Sequence, residues 1–147
     1  MYVSEGRNPR TIQLLESLAR SVPGVGHVQS FIDPAYHRTS ITLASRDQDG
    51  LQRAVLSVAR AAMEAIDMRQ HDAQHPRLGA VDHISCHPLT AEPLSSAASA
   101  AAAGTGGFAR RVAETVSGEL LVPAYCYGWA RSDQRPLDTI RRRASSL

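Results

Sequence analysis

Two apolar stretches at helical spacing, with two β-branched runs lying between them, constrain this chain more than any other feature of its sequence. Ile12, Leu15, Leu18, Ala19 and Val22 fall on one helical face, and so do Leu51, Val55, Val58, Ala62 and Ile66. Between them, Val28 to Ile32 and Thr39 to Ala44 are rich in β-branched and aromatic residues and read as strands. The punctuation agrees. Asn8-Pro9 offers a cap followed by proline at the first helical position, Pro23-Gly24 closes that helix, and Asp47 or Asp49 can cap the second. Asp33-Pro34-Ala35-Tyr36-His37-Arg38 joins the two strands as a turn. A short extended piece at Met1 to Ser4 and a strand at Ala80 to Cys86 flank them, and with a third helix and a last strand further on the order reads β-α-β-β-α-β-α-β. That order predicts an α+β, ferredoxin-like split βαβ sandwich, with helices on one face of a mixed or antiparallel sheet.

Beyond Cys86 the pattern is weaker. Residues 95–107 form an Ala/Gly-rich stretch that reads as an insertion, with alanines favouring helix and Gly104, Gly106 and Gly107 breaking it. Phe108 to Val116 resumes a helix, Leu121 to Tyr127 reads as a strand interrupted by Pro123, and residues 141–147 read as a basic tail. The whole chain, 147 residues, is expected to form a single domain.

Composition excludes several function classes. Charged residues make up 20% and the net charge is +2, with both signs mixed, so neither a nucleic-acid nor a membrane partner is expected. No apolar run approaches the roughly 20 residues of a membrane helix. The first residues lack the basic and apolar regions of a signal peptide, which leads to the expectation of a cytoplasmic protein. Cys86 and Cys126, without CxxC spacing, are expected to be buried free thiols.

One polar cluster dominates. His71, His75, His83 and His87, four of the six histidines, lie within 17 residues, together with Pro76, Arg77, Gly79 and Asp82. Imidazole exchanges protons near neutrality, Arg77 offers a cationic fork for a carboxylate, and Asp82 stands where it could orient a ring. On the residues alone three readings compete: acid–base catalysis on an anionic substrate, a metal site built on His-x3-His, or a polar loop with solvated histidines. Pro76 argues against the metal, because it disfavours a helical His75. His83 and His87 also read as structural histidines. The turn Asp33 to Arg38 is either an ordinary hairpin loop or a carboxylate and a guanidinium aimed at the His75 segment. Gly104 to Gly107 lacks the Lys-Ser/Thr ending of a phosphate loop, Arg141 to Arg143 reads as solvated, and Tyr125, Tyr127 and Trp129 suit either packing or a flat ligand.

The stretch Ala65-Ile-Asp67-Met68-x2-His71-x3-His75-Pro-Arg77-Leu-Gly79-Ala-Val-Asp82 resembles the signature of the formiminotransferase family. Val3-Ser-Glu-Gly-Arg-Asn8, Asp33-Pro34 with His37-Arg38-Thr39, and Val122-Pro-Ala-Tyr125-Cys-Tyr127-Gly128 resemble three further family segments in the same order. Two positions depart from the pattern, Tyr2 and His37, where the family has asparagine. The resemblance implies a ferredoxin-like N-terminal subdomain, paired in the family with a second subdomain across a folate cleft. It implies transfer of a formimino group from formiminoglutamate to tetrahydrofolate as co-substrate, without a metal. His75 would be the general base. Asp33, as the turn acid, would hold the imidazole or contact the pterin. Arg77 would hold an anionic group. Arg38 and Gly79 would join them in binding substrate or folate, and His71, Asp82 and Tyr127 would support the site. A homodimer or a separate partner would complete the cleft. The alternative is a non-catalytic folate-binding or regulatory module lacking the second subdomain.

Overall fold

The computed structural model describes residues 1–89 and 96–144. Ser95, at the edge of the Ala/Gly-rich stretch, and residues 145–147 of the basic tail lie outside the described residues. The chain divides into two compact units, Met1–Ile84 and Ser85–Leu147.

The first unit runs β1 (Tyr2–Val3), α1 (Pro9–Arg20), β2 (Gly26–Asp33), β3 (Arg38–Ala44), α2 (Gln48–Ala65) and β4 (Val81–His83). Its sheet has the order β2-β3-β1-β4, with every pair antiparallel, as the split βαβ reading requires. Both helices start at the expected caps. Asn8 Oδ1 accepts the Arg10 and Thr11 N–H groups at 3.1 and 3.4 Å, and Asp47 Oδ1 accepts the Asp49 N–H at 3.0 Å. Their apolar stripes meet one sheet face, where Leu15, Ala19, Val58 and Ala62 cluster with Val3 and Ile41. Leu15, Val58, Val3 and Ile41 have no exposed surface, and burying side chains of this size contributes about 1.5–3 kcal/mol each. The opposite face carries Tyr2, Ser40, Phe31 and His83, which the strand registers place side by side. Phe31 there is 63% exposed.

The strand expected over Ala80 to Cys86 is shorter than its apolar run. Its neighbour β1 has only two residues, so β4 finds ladder partners at Val81 and His83 alone. The pairing Tyr2↔His83 and Val3↔Val81 sets two residues of β1 against three of β4, a bulge at Asp82.

The second unit contains α3 (Ser96–Leu120), a 3-10 turn (Gly128–Ala130) and α4 (Leu137–Ala144). Two expectations fail here. The glycines do not break α3, which runs through all of them. No strand forms over Leu121 to Tyr127: Leu121 leaves the helix with a left-handed φ of 55° and Pro123 brings no N–H to a ladder. Cys86 and Cys126 are free but half-buried rather than buried. Among the described residues, no helix is long and apolar enough to cross a membrane.

Candidate active site

Three segments of the first unit meet beside the β2–β3 turn. The earliest is Ser4-Glu5-Gly6. Gly6 is buried, and a Cβ there would stand 2.5 Å from the Asp33 carbonyl oxygen and 2.6 Å from the Arg38 nitrogen, so only glycine lets the chain pass this close. The Gly6 N–H donates to His37 Nδ1 at 3.0 Å. Glu5, 8% exposed, accepts the Arg7 and Asn8 N–H groups through Oε1, and its carbonyl accepts the Thr39 hydroxyl at 2.5 Å. Sequence reasoning names no role for Glu5, although it lies in the Val3 to Asn8 segment that resembles the family and stands three residues before the Asn8 cap.

The second segment is the turn. Asp33 and Arg38 close the β2–β3 ladder as partners, and Asp33 Oδ1 accepts the Tyr36 N–H at 2.9 Å, so this carboxylate shapes its own turn. His37 takes a left-handed φ of 50°. Its ring packs on that of His71, with centroids 4.4 Å apart. Burial lowers the His37 pKa; nearby Glu5 works against this, while His71 and Arg7 add to it.

The third segment is the irregular loop between α2 and β4. A forked ion pair of Arg69 on Asp67 opens it, both contacts being 2.8 Å. Its far end is tied to the first strand region, where the Ser4 hydroxyl donates to the Gly79 carbonyl at 2.8 Å and the Ser4 N–H to the Ala80 carbonyl at 2.8 Å. Arg77 donates to the His71 carbonyl and so closes the loop on itself. His71 Nε2 lies 3.3 Å from the His37 carbonyl, a hydrogen bond in the tautomer that carries its proton on Nε2. Arg77 Nε and His71 Nδ1 are buried without a hydrogen-bond partner among the described residues.

Arg38 joins the three segments. It starts β3, and its Nη2 donates to Asp82 Oδ2 at 2.6 Å and lies 2.9 Å from His75 Nδ1. The bulge in β4 allows Asp82 to face Arg38, and the Asp82 side chain has no exposed surface. Its other oxygen accepts the Leu78 N–H at 2.8 Å. The guanidinium lies over the Tyr2 ring at 5.4 Å, and Tyr2 stacks on His83 at 5.8 Å. The Tyr36 ring stands 5.1 Å from that of His75. The half-exposed imidazole of His75 is therefore held on one edge while the loop leaves it partly open to solvent.

The structure thus brings together His71, His75, Arg77, Gly79, Asp82, Asp33 and Arg38. His87 and Tyr127 belong to the second unit, where burial pushes the Tyr127 hydroxyl above its ordinary range. His71 and His75 take different ring partners, and among the described residues no group of three or more His, Cys, Asp or Glu is placed to hold a metal ion. Gly104 to Gly107 lie within α3 rather than in a loop, and Arg142 pairs with Asp138 at 2.5 Å.

A family profile described as "Formiminotransferase domain, N-terminal subdomain" matches residues 1–146. The chain is 35% identical, over 97% of its length, to a formiminotransferase cyclodeaminase-like protein of Arabidopsis thaliana, and spans 47% of that relative. It is 30% identical to the glutamate formimidoyltransferase of Streptococcus pyogenes serotype M1, covering 95% of this chain and 44% of the relative. With the formimidoyltransferase-cyclodeaminase of Sus scrofa it shares 35% identity over 86% of this chain and 22% of the relative. The chain therefore spans about half or less of the length of these relatives.

Proposed function

Since the chain belongs to the formiminotransferase family, as its N-terminal subdomain, we propose that it supplies the His75 side of a site that moves a formimino group from formiminoglutamate to tetrahydrofolate. The observation that carries this reading is the placement of His75, whose half-exposed imidazole stands in one cluster with Arg38, the buried Asp82 and Arg77.

The chemistry asks for one group that first takes a proton and then returns it. In this reading N5 of the folate attacks the formimino carbon, and Nε2 of His75 accepts the N5 proton as the new C–N bond forms. The protonated ring then gives that proton to the departing glutamate nitrogen as the old C–N bond breaks. A base at this step is worth typically 10²–10⁴-fold in rate. Arg77, whose Nε has no hydrogen-bond partner among the described residues, suits a carboxylate of formiminoglutamate or of the folate tail. The open sheet face, with Tyr2, Phe31 and His83, offers aromatic surface to the pterin. A large ligand needs a second wall, which a second subdomain-like surface would provide. The setting of such a reaction is the cytoplasm.

The test is titration of the chain with a reduced folate, followed by a formimino-transfer assay, with His75→Asn alongside. Loss of at least two orders of magnitude in kcat, with folate affinity kept, is expected for the variant. No folate binding at millimolar concentration would falsify the reading. Binding without turnover, unchanged in His75→Asn, would favour a non-catalytic folate-binding module.

A further inference from the structure

Nδ1 of His75 has two neighbours that it cannot serve together. Arg38 Nη2 stands 2.9 Å away and the Pro76 carbonyl oxygen 2.6 Å away. A guanidinium nitrogen only donates, and a carbonyl only accepts. The Arg38 contact therefore needs a lone pair on Nδ1, whereas the Pro76 contact needs a proton there. In the neutral ring the first arrangement leaves the proton on Nε2, and the second leaves Nε2 with the lone pair. Which contact forms decides whether the open side of the imidazole donates or accepts.

The surroundings of Arg38 favour the first arrangement. The same Nη2 that faces His75 is held by Asp82 Oδ2 at 2.6 Å, and Asp82 is itself fixed by the Leu78 N–H at 2.8 Å. Tyr2 lies beneath the guanidinium, and Pro76 offers Nη2 only a longer contact of 3.4 Å. With one Nη2 hydrogen on the carboxylate, the other is directed at the ring nitrogen. In this arrangement the Pro76 carbonyl oxygen, 2.6 Å from Nδ1, faces a lone pair and must draw back; a charge-assisted donor fixed by a buried carboxylate outweighs that neutral contact to an exposed carbonyl.

We propose that Arg38, braced by Asp82, is a positioning residue that holds His75 of the unliganded protein in its Nε2–H tautomer. The ring then rests as a hydrogen-bond donor. It becomes a base only when Nε2 releases its proton to water, Nδ1 takes one from water, and the Nδ1–H turns to the Pro76 carbonyl. The catalytic meaning of this change rests on the reading of His75 as the general base; the resting tautomer does not.

The experiment is 15N NMR of the labelled imidazoles in the full chain at alkaline pH, with the His75 signals assigned by their loss in His75→Gln. In the wild type, Nδ1 is expected in the unprotonated range and Nε2 in the protonated range. Arg38→Lys keeps a cation opposite Asp82, but its single nitrogen cannot hold the carboxylate and reach the ring in the same way. The tautomer ratio is expected to invert in favour of Nδ1–H, a change of several-fold. Asp82→Asn keeps the acceptor for the Leu78 N–H while loosening Arg38, and should move the ratio in the same direction by less. A wild-type majority of Nδ1–H overturns the proposal, as does an unchanged ratio in Arg38→Lys with a native-like amide spectrum. Where Arg38→Lys does not fold, Asp82→Asn decides by the same readout. A tautomer that shifts as described in a protein without formimino transfer removes only the catalytic reading.

Discussion

His37 is where a single side chain ties the fold of the site to pH. Burial, the largest influence, pushes its pKa below the ordinary 6.5, and Glu5 only partly offsets that. Between the lowered folded value and about 6.5 the unfolded chain therefore binds a proton that the folded chain does not. The stability His37 contributes is full above the unfolded value and is lost as pH falls through the window below it. Asparagine at this position can still accept the Gly6 N–H but does not titrate. His37→Asn should flatten the fall in stability below about pH 6.5 while changing stability at alkaline pH by no more than about 1 kcal/mol. Urea midpoints of both proteins across this range are the check, and parallel curves would remove His37 as the sensor. The site is legible in the sequence through its residue types. His71, His75, Arg77 and Asp82 stand in one segment, and Asp33 and Arg38 in another. That Arg38 engages His75 and Asp82 is not legible there, because those contacts join residues 37 and 44 positions apart. Nor is it legible that Asp33 is taken up by its own turn.

At the scale of elements, local signals succeed in one place and mislead in another. Caps and apolar stripes fix α1 and α2 because both signals are local and agree. Intrinsic cost, about 1 kcal/mol each against alanine, marks the glycines of α3 as breakers, yet the helix carries them. Gly106 explains part of this. A Cβ on it would collide with the Trp129 backbone, so the glycine lets α3 and the 3-10 turn approach closely. A Cβ on Gly104 or Gly107 would meet nothing within 4 Å. Opposite outcomes follow for one substitution. Gly107→Ala should stabilise α3 by about 0.5–1 kcal/mol, since only helix propensity changes. Gly106→Ala should cost about 1–3 kcal/mol, the usual range for overpacking. Hydrogen exchange of the α3 amides measures both. Equal shifts in the same direction would mean that the Trp129 contact does not constrain the helix. The strand expected over Leu121 to Tyr127 fails for a related reason: its apolar residues match a strand, but Pro123 and the left-handed Leu121 deny it a ladder.

Across the whole molecule, the split βαβ topology is legible because six elements in order, with two helical stripes and a central hairpin, leave few arrangements that bury both stripes on one sheet. What the order of elements does not reveal is where the contacts divide. The buried cluster of Val3, Leu15, Ala19, Ile41, Val58, Ala62, Ile66 and Ala80 lies entirely before Ser85. So do Arg38, Asp82 and His75 with the contacts among them. A fragment of residues 1–84 therefore contains every strand of the described sheet and its own core, at a length where domains fold alone with only a few kcal/mol to spare. Such a fragment is expected to unfold cooperatively in urea, with the amide pattern of its four strands and the His75 ring signals of the full chain preserved. A molten fragment, with helical circular dichroism but no dispersed amide spectrum, would show that residues beyond Ile84 are needed to form the site. A folded fragment with unchanged His75 signals would place the Arg38–Asp82 grip on the imidazole wholly within the first unit.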